Sequence, residues 1–292
     1  LSEMQPGLKN VPPKNVSSKE LDLLSQIVEK RLGMDLNRRR QERLLQMLEK
    51  RVKESGRKDL MDYLNFVDFS PDHPEWRYLE EILTIQKTEF FREPSIFLWI
   101  RDNILPPLRE KIVSGKKKKI RFWSAGCSSG EEAYSLSFET HAMAGMLSHE
   151  KEPYRILATD INTQAIVSAY KGIYSHELVK NLPQSVLNKF FVPIPSNDGR
   201  SKLFVIKDFI KNLIQFRVLN FLDEHYPIAT QFDIILCRNV LYYFKEEVRK
   251  VVFEKMLGYL NPGGYLILSG TETGYRTKAA EKIRPNIFRK TN

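Results

Sequence analysis

The first chemical signal in this sequence is a run of small residues, Ser124-Ala125-Gly126-Cys127-Ser128-Ser129-Gly130, directly after the β-like segment Ile120-Arg121-Phe122-Trp123. A strand that runs into a glycine turn is where an open α/β sheet brings its backbone against a nucleotide-like moiety. The loop lacks the G-x-G-x-x-G spacing of dinucleotide sites, because serines hold the flanking positions, and it lacks the Gly-Lys-Ser/Thr of a phosphate loop. NAD and ATP are thereby disfavoured. Asp160 ends the next β-like run, Arg155 to Asp160, at a place where a carboxylate accepts hydrogen bonds from both ribose hydroxyls of an adenosine. A small-residue loop and a ribose carboxylate without a phosphate cradle suit S-adenosylmethionine, whose adenosine carries no phosphate. On these residues alone a second reading stays open, in which Gly126 and Gly130 only permit a tight turn and Asp160 caps the following helix.

Other reactive side chains are sparse. Cys127 and Cys237 are the only cysteines; they cannot build a disulfide framework and neither stands at metal-ligand spacing, so a reducing, cytoplasmic setting and no metal are expected. None of His73, His141, His149, His176 or His225 sits in a site motif.

The elements that must position the loop alternate. Strand-like runs at 120–123, 155–160, 232–237 and 265–268, with helical segments after the first two and from Glu246 to Leu260, predict an α/β domain with a doubly wound, mostly parallel sheet. A helix from Ser95 to about Ile104 should lead through Pro106-Pro107 into a lysine run, 116–119, expected to be a solvated loop. Between Phe190 and Leu219 the runs 191–194, 203–206 and 215–218 flank the turn signal Ser196-Asn197-Asp198-Gly199, which predicts a small antiparallel insert. Ahead of the α/β region, residues 1–16 read as a flexible arm and residues 17–85 as an all-helical domain that opens on a capping box, Ser17-Ser18-Lys19-Glu20. The α/β domain then spans 86–292.

Five segments, in order and spacing, resemble the CheR family of chemoreceptor glutamate methyltransferases: Thr88-Glu89-Phe90-Phe91-Arg92-Glu93, Trp123 to Ser135, Ala158-Thr159-Asp160-Ile161, Cys237 to Phe244, and Asn261 to Leu266. The likeness covers about residues 18 to 290. It implies a helical N-terminal domain, a Rossmann-like S-adenosylmethionine methyltransferase fold with a seven-stranded mixed sheet, and a small β-subdomain inserted in it. It places cofactor contacts on Gln86, Thr88, Arg92, Gly126, Glu131, Asp160, Asn220, Phe221, Arg238 and Asn239. Gln86 stands where the family commonly has Asn, and Ala133 where it often has Pro. Arg92 and Tyr243 match the residues placed near the transferring methyl. The implied partners are the acidic methylation helices of chemoreceptors, met in the cytoplasm at receptor arrays by a monomeric enzyme.

Residue chemistry agrees with a carboxylate acceptor. A glutamate, with its ordinary pKa of about 4.3, is ionised at neutral pH and needs no general base, only orientation by a guanidinium fork or a phenol. The composition also calls for an acidic partner: 46 Lys and Arg face 36 Asp and Glu, a net charge of +10. Part of that excess lies on one helix. Arg39, Arg43, Lys50, Lys53 and Arg57 fall within roughly 80° of one another at about 100° per residue, opposite Leu44, Leu48 and Val52. The first four are candidate substrate contacts. The basic tail, Arg276 to Lys290, is expected to serve solubility alone. Base-amine methylation uses an Asn/Asp-Pro-Pro-Tyr/Phe motif where this chain has Arg238-Asn239-Val240-Leu241, so no nucleic-acid partner is expected. No run approaches the ~18 apolar residues of a membrane span. The loop 193–202 lacks the Gly-x-Gly of family members that dock a receptor tether, which points to a form that works without one.

Overall fold

The computed structural model describes residues 16–36, 38–69, 73–84, 88–144, 153–196, 199 and 201–291. The chain divides into two units, Leu1–Leu83 and Thr84–Asn292. Apart from Val16, the expected arm lies outside the described residues.

The first unit consists of α1 (Ser18–Leu32), α2 (Arg38–Glu54), α3 (Leu60–Phe69) and α4 (Glu75–Leu83). The capping box forms: Ser17 Oγ accepts from the Glu20 N–H at 3.3 Å and Glu20 Oε2 accepts from the Ser17 N–H at 2.7 Å. Gly33, at φ +63°, ends α1 in the left-handed region. Leu24, Ile27 and Val28 from α1, Leu44, Leu45 and Leu48 from α2, and Tyr63, Leu64 and Val67 from α3 are buried. Beside this apolar interior sits one ion pair, Arg51 with Glu75 at 2.5 and 2.6 Å, to which Tyr63 Oη donates at 2.7 Å. The Arg51 fork and the Tyr63 phenol hold the Glu75 carboxyl below its ordinary pKa against the opposing effect of burial.

The second unit begins with α5 (Pro94–Trp99), a π-helical turn over Ile100–Ile104, and α6 (Leu105–Val113). The helix expected from Ser95 to about Ile104 runs on through Pro106-Pro107 into α6. Both prolines fall in the first turn of α6, where a missing N–H costs nothing, and the turn before them widens so that the Leu105 N–H reaches the Ile100 carbonyl. There follow β1 (Ile120–Ala125), α7 (Glu131–Ala144), β2 (Tyr154–Asp160), α8 (Thr163–Lys171), β3 (Ile173–Ser175), α9 (His176–Val179), α10 (Gln184–Phe190), β4 (Phe191–Pro195) and β5 (Lys202–Ile206). Then come α11 (Asp208–Lys211), β6 (Ile214–Val218), β7 (Phe232–Cys237), α12 (Glu246–Gly258), β8 (Leu260–Leu268), β9 (Ala280–Arg284) and β10 (Ile287–Lys290).

The main sheet has the order β6-β2-β1-β7-β8-β10-β9, parallel from β6 to β8, with β10 antiparallel to both of its neighbours. β7 is buried along its whole length, as a central parallel strand between two helical layers must be. One core lies on each face. Phe122, Tyr134, Ile156 and Ile234 belong to the first; Trp123, Ile235, Phe253 and Leu266 belong to the second.

Three expectations change. The small sheet has the order β3-β5-β4, so Gln215–Val218 is no part of it; that run is in β6, the edge strand paired in parallel with β2. Its alternation, with Phe216 buried between exposed Gln215 and Arg217, suits either sheet, and its true partner is about sixty residues upstream. The third strand of the small sheet, Ile173–Ser175, is three residues long and shows no periodicity. The basic tail is folded: β9 and β10 complete the main sheet, and burial of Ala280, Ile287 and Phe288 holds them there. In the lysine run, Lys117 reaches inward to Asp233 at 2.8 Å, while Asp233 also accepts the N–H of Arg121 on β1.

Candidate active site

Three loops meet at the carboxyl ends of the parallel strands: residues 88–93, the glycine loop after β1, and the segment 238–244 after β7. Among the described residues, the non-glycine positions with positive φ are Phe91 (+53°), Glu93 (+58°), Ser128 (+49°) and Asn239 (+61°), and all lie in these loops. Such conformations cost free energy and persist where surrounding bonds over-determine them.

The glycine loop is held from within. Gly126 and Cys127 donate their N–H groups to the Thr159 carbonyl at 2.7 and 2.9 Å, Gly130 donates to Cys127, and Ser128 donates to Asp160 Oδ2 at 2.8 Å. These amides are therefore unavailable to cradle a phosphate. Gly126 adopts φ +82°, and a side-chain carbon there would stand 2.3 Å from Val240 Cγ2; at Gly130 it would stand 2.9 Å from Ala169 Cβ. Close approach requires glycine at both places.

Asp160 is buried at the end of β2. Its Oδ1 accepts from the Asn162 N–H at 2.9 Å, and Asn162, not Asp160, caps α8 by accepting from Ala165. Burial pushes the Asp160 carboxyl above its ordinary pKa, with the N–H groups of Asn162, Ser128 and Ile161 opposing. Glu131, wholly buried at the start of α7, is pushed up by burial as well, opposed by its own backbone N–H and then by the hydroxyls of Ser129 and Thr88. Asn220 Oδ1 holds the Leu222 N–H at 2.9 Å, and Phe221 packs its edge on Trp123. The pocket chemistry is thus acidic and hydroxyl-rich with no free anion cradle, and it fits the adenosine of a cationic sulfonium cofactor better than a nucleotide phosphate.

Arg238, expected among the cofactor contacts, has an enclosed side chain. Its side chain is 1% exposed and bonds Glu132 at 3.1 Å, Glu93 at 3.3 Å and the Arg92 carbonyl. Phe97 packs against the guanidinium with its ring centroid 5.4 Å away. This arginine pins the 88–93 loop to the strand end and has no side-chain surface for a ligand. Glu132, which Ser124 Oγ also contacts at 2.7 Å, is pushed up by burial while Arg238 opposes.

The loop after β7 carries Tyr243. Its phenol oxygen accepts from Tyr242 Oη at 2.8 Å, and the two rings lie 4.2 Å apart. Tyr242 is pushed up mainly by burial and then by Tyr243, while the positive charge of Arg92 opposes, which puts the Arg92 guanidinium in electrostatic reach of the pair. Sequence reasoning missed the residue that shapes this loop. Glu272, 4% exposed, accepts N–H groups from Asn239, Val240, Tyr242 and Ser269, each at 3.1 Å, and the Ser269 hydroxyl at 2.7 Å. The only sequence signal for it is a lone acid in Thr271-Glu272-Thr273, about thirty residues from the loop it holds. No histidine among the described residues stands here: His73 packs on Phe66, His141 on Phe190 and Phe209, His176 on Phe204, and His225 is exposed.

Gln86 lies outside the described residues. On α2, Lys50 is exposed and pairs with Glu54 at 3.6 Å, Lys53 is exposed, and the side chains of Arg39 and Arg43 lie outside the described residues. Arg57 is turned back within its own unit, with its guanidinium 3.8 Å from the Phe66 ring centroid.

A family model described as "CheR methyltransferase, SAM binding domain" matches residues 86–286. The chemotaxis protein methyltransferase of Borreliella burgdorferi is 33% identical over 278 residues, which covers 94% of this chain and 95% of that protein. The chemotaxis protein methyltransferase of Escherichia coli is 29% identical over 249 residues, 85% of this chain and 82% of that one. That of Vibrio parahaemolyticus is 36% identical over 214 residues, 70% and 72% of the two chains.

Proposed function

The chain belongs to the CheR methyltransferase family, and from that membership and the loop geometry we propose that it transfers the methyl group of S-adenosylmethionine to glutamate side chains of chemoreceptors. A carboxylate oxygen attacks the sulfonium methyl in line, the carbon–sulfur bond breaks with its electron pair staying on sulfur, and the products are a glutamate methyl ester and S-adenosylhomocysteine. The observation that carries this reading is a pair of orienting donors, with no described histidine beside them. Arg92 and the Tyr242–Tyr243 pair can orient a carboxylate, and no described histidine is near enough to deprotonate an amine or hydroxyl. In the functional state Tyr242 donates to Tyr243, and hydrogen-bonded hydroxyls polarise one another, which strengthens the pair as a partner for the acceptor carboxylate.

Asp160 takes the ribose hydroxyls, Glu131 and Thr88 line the methionine side, and Gly126, Arg92, Asn220, Phe221 and Asn239 complete the cofactor contacts in this reading, with Gln86 earlier in the sequence. Arg238 acts through Glu93 and Glu132. Lys50 and Lys53, with Arg39 and Arg43, offer positive charge to the acidic methylation helices, and the enzyme works as a monomer in the cytoplasm. The test is incubation with methyl-labelled S-adenosylmethionine and either receptor-bearing membranes or RNA, followed by alkali. Volatile methanol from the membrane fraction is expected, since esters hydrolyse there. Label that resists alkali, or label in the RNA, would refute the reading and favour methylation of nitrogen.

A further inference from the structure

A groove between the first half of α12 and residues 271–276 belongs to none of the contacts above. It encloses about 490 Å³, with Tyr242 at its lining and a wall formed by the Phe253–Tyr275 stack, whose ring centroids are 4.5 Å apart at 13°. Its charges are unevenly matched. Glu246 is taken by Lys250 at 2.7 Å, and Glu272 is filled by the loop after β7. Arg249 and Arg276 make no side-chain hydrogen bond or ion pair among the described residues, and the Arg249 Nε is buried with no partner. Glu254, exposed on α12, is the one lining carboxylate left over. Arg276 is exposed and Arg249 half-buried, so their guanidiniums offer positive charge that the groove's own carboxylates do not neutralise to a partner from outside.

We propose that this groove receives a second acidic side chain of the protein substrate, about one helical turn from the glutamate presented to Tyr243. The inference rests on the reaction proposed above. Tyr242 belongs to both places: its hydroxyl bonds Tyr243, and its side lines the groove. On a helix, residues three or four apart are about 6 Å from each other on one face, and Tyr242, the chain neighbour of Tyr243 on the groove lining, is the shared element by which one carboxylate would meet Tyr243 while its neighbour enters the groove. The apolar wall then covers the methylene stem of that neighbour.

The experiment measures steady-state methyl ester formation on receptor-bearing membranes by the wild type and by Arg249→Ala/Arg276→Ala. The variant is expected to raise KM for the receptor about tenfold or more, as loss of charge-assisted hydrogen bonds does, with kcat and KM for S-adenosylmethionine within twofold. Receptors in which acids one turn from the methylated glutamate are replaced by glutamine should show the same rise with the wild type and no further rise with the variant. An unchanged receptor KM, or fully additive losses, would overturn the groove while leaving the proposed reaction intact. Absence of any ester with the wild type would overturn both. Should the double variant misfold, Arg249→Lys, which keeps charge but loses the fork, is expected to raise the receptor KM about threefold; a KM equal to the wild type's would count against the groove.

Discussion

The loop after β1 and the loop after β7 are both organised around buried carboxylates, but those carboxylates are satisfied to different degrees. Glu272 accepts five hydrogen bonds from Asn239, Val240, Tyr242 and Ser269, which fills the roughly four lone-pair positions of a carboxylate and makes it a fastener. Asp160 meets the N–H groups of Ser128, Asn162 and Ile161, fewer donors than Glu272 takes, and keeps acceptor capacity inside a site that already raises the free-energy cost of its charge. Saturation marks a carboxylate that builds the site; a deficit marks one that awaits a ligand. Arg238, enclosed by Glu93 and Glu132, belongs with the builders despite lying where a ligand contact was expected.

The contrast breaks most readily at Glu272. Glu272→Ala orphans several donors at once and is expected to cost about 3 kcal/mol of unfolding free energy, measured by chemical denaturation, with methyl transfer falling as the Tyr243 loop loosens. Asp160→Asn should do the reverse: stability within about 1 kcal/mol of wild type, since a desolvated charge is removed, and S-adenosylmethionine affinity down roughly a hundredfold by calorimetry. If the two variants exchanged phenotypes, the division between fasteners and receivers would be wrong. A smaller effect is expected at the phenol pair. Tyr242→Phe keeps the ring stack and should lower kcat about fivefold in the wild type, but not in a Tyr243→Phe background, by single-turnover rates. The weakest signal is in pH. Burial places the Asp160 pKa above its ordinary value of 3.8, so its charged form opposes folding and acidification through the raised pKa relieves that cost. In the proposed reading ribose binding uses the charged form; affinity for S-adenosylmethionine should therefore start to fall at a pH above 3.8, and the slope should vanish in Asp160→Asn.

The glycine turn and the acid at the next strand end were legible in the sequence because their signals are local. A strand, a glycine turn and an acid at the next strand end lie in order along the chain, and Ser17 and Glu20 announce α1 in the same way. The fasteners were not legible. Glu272 and Arg238 gain their meaning from partners about thirty to one hundred and forty residues away, and nothing in the types of their neighbours records it. The same distance effect hid the partner of β6 and the inward turn of Lys117 to Asp233, whereas α1–α4, built from helical periodicity, matched their pattern closely.

The contact between Gly126 and Val240 has a hereditary consequence. Because the valine methyl fills the space in which a side chain at 126 would grow, the two loops share one steric allowance, and position 126 cannot gain a side chain unless position 240 gives up its own. Relatives that carry alanine at the first position are expected to carry alanine or glycine at the second, so that covariation between these two places, over a hundred residues apart in sequence, becomes a readable trace of the seam between the cofactor loop and the acceptor loop.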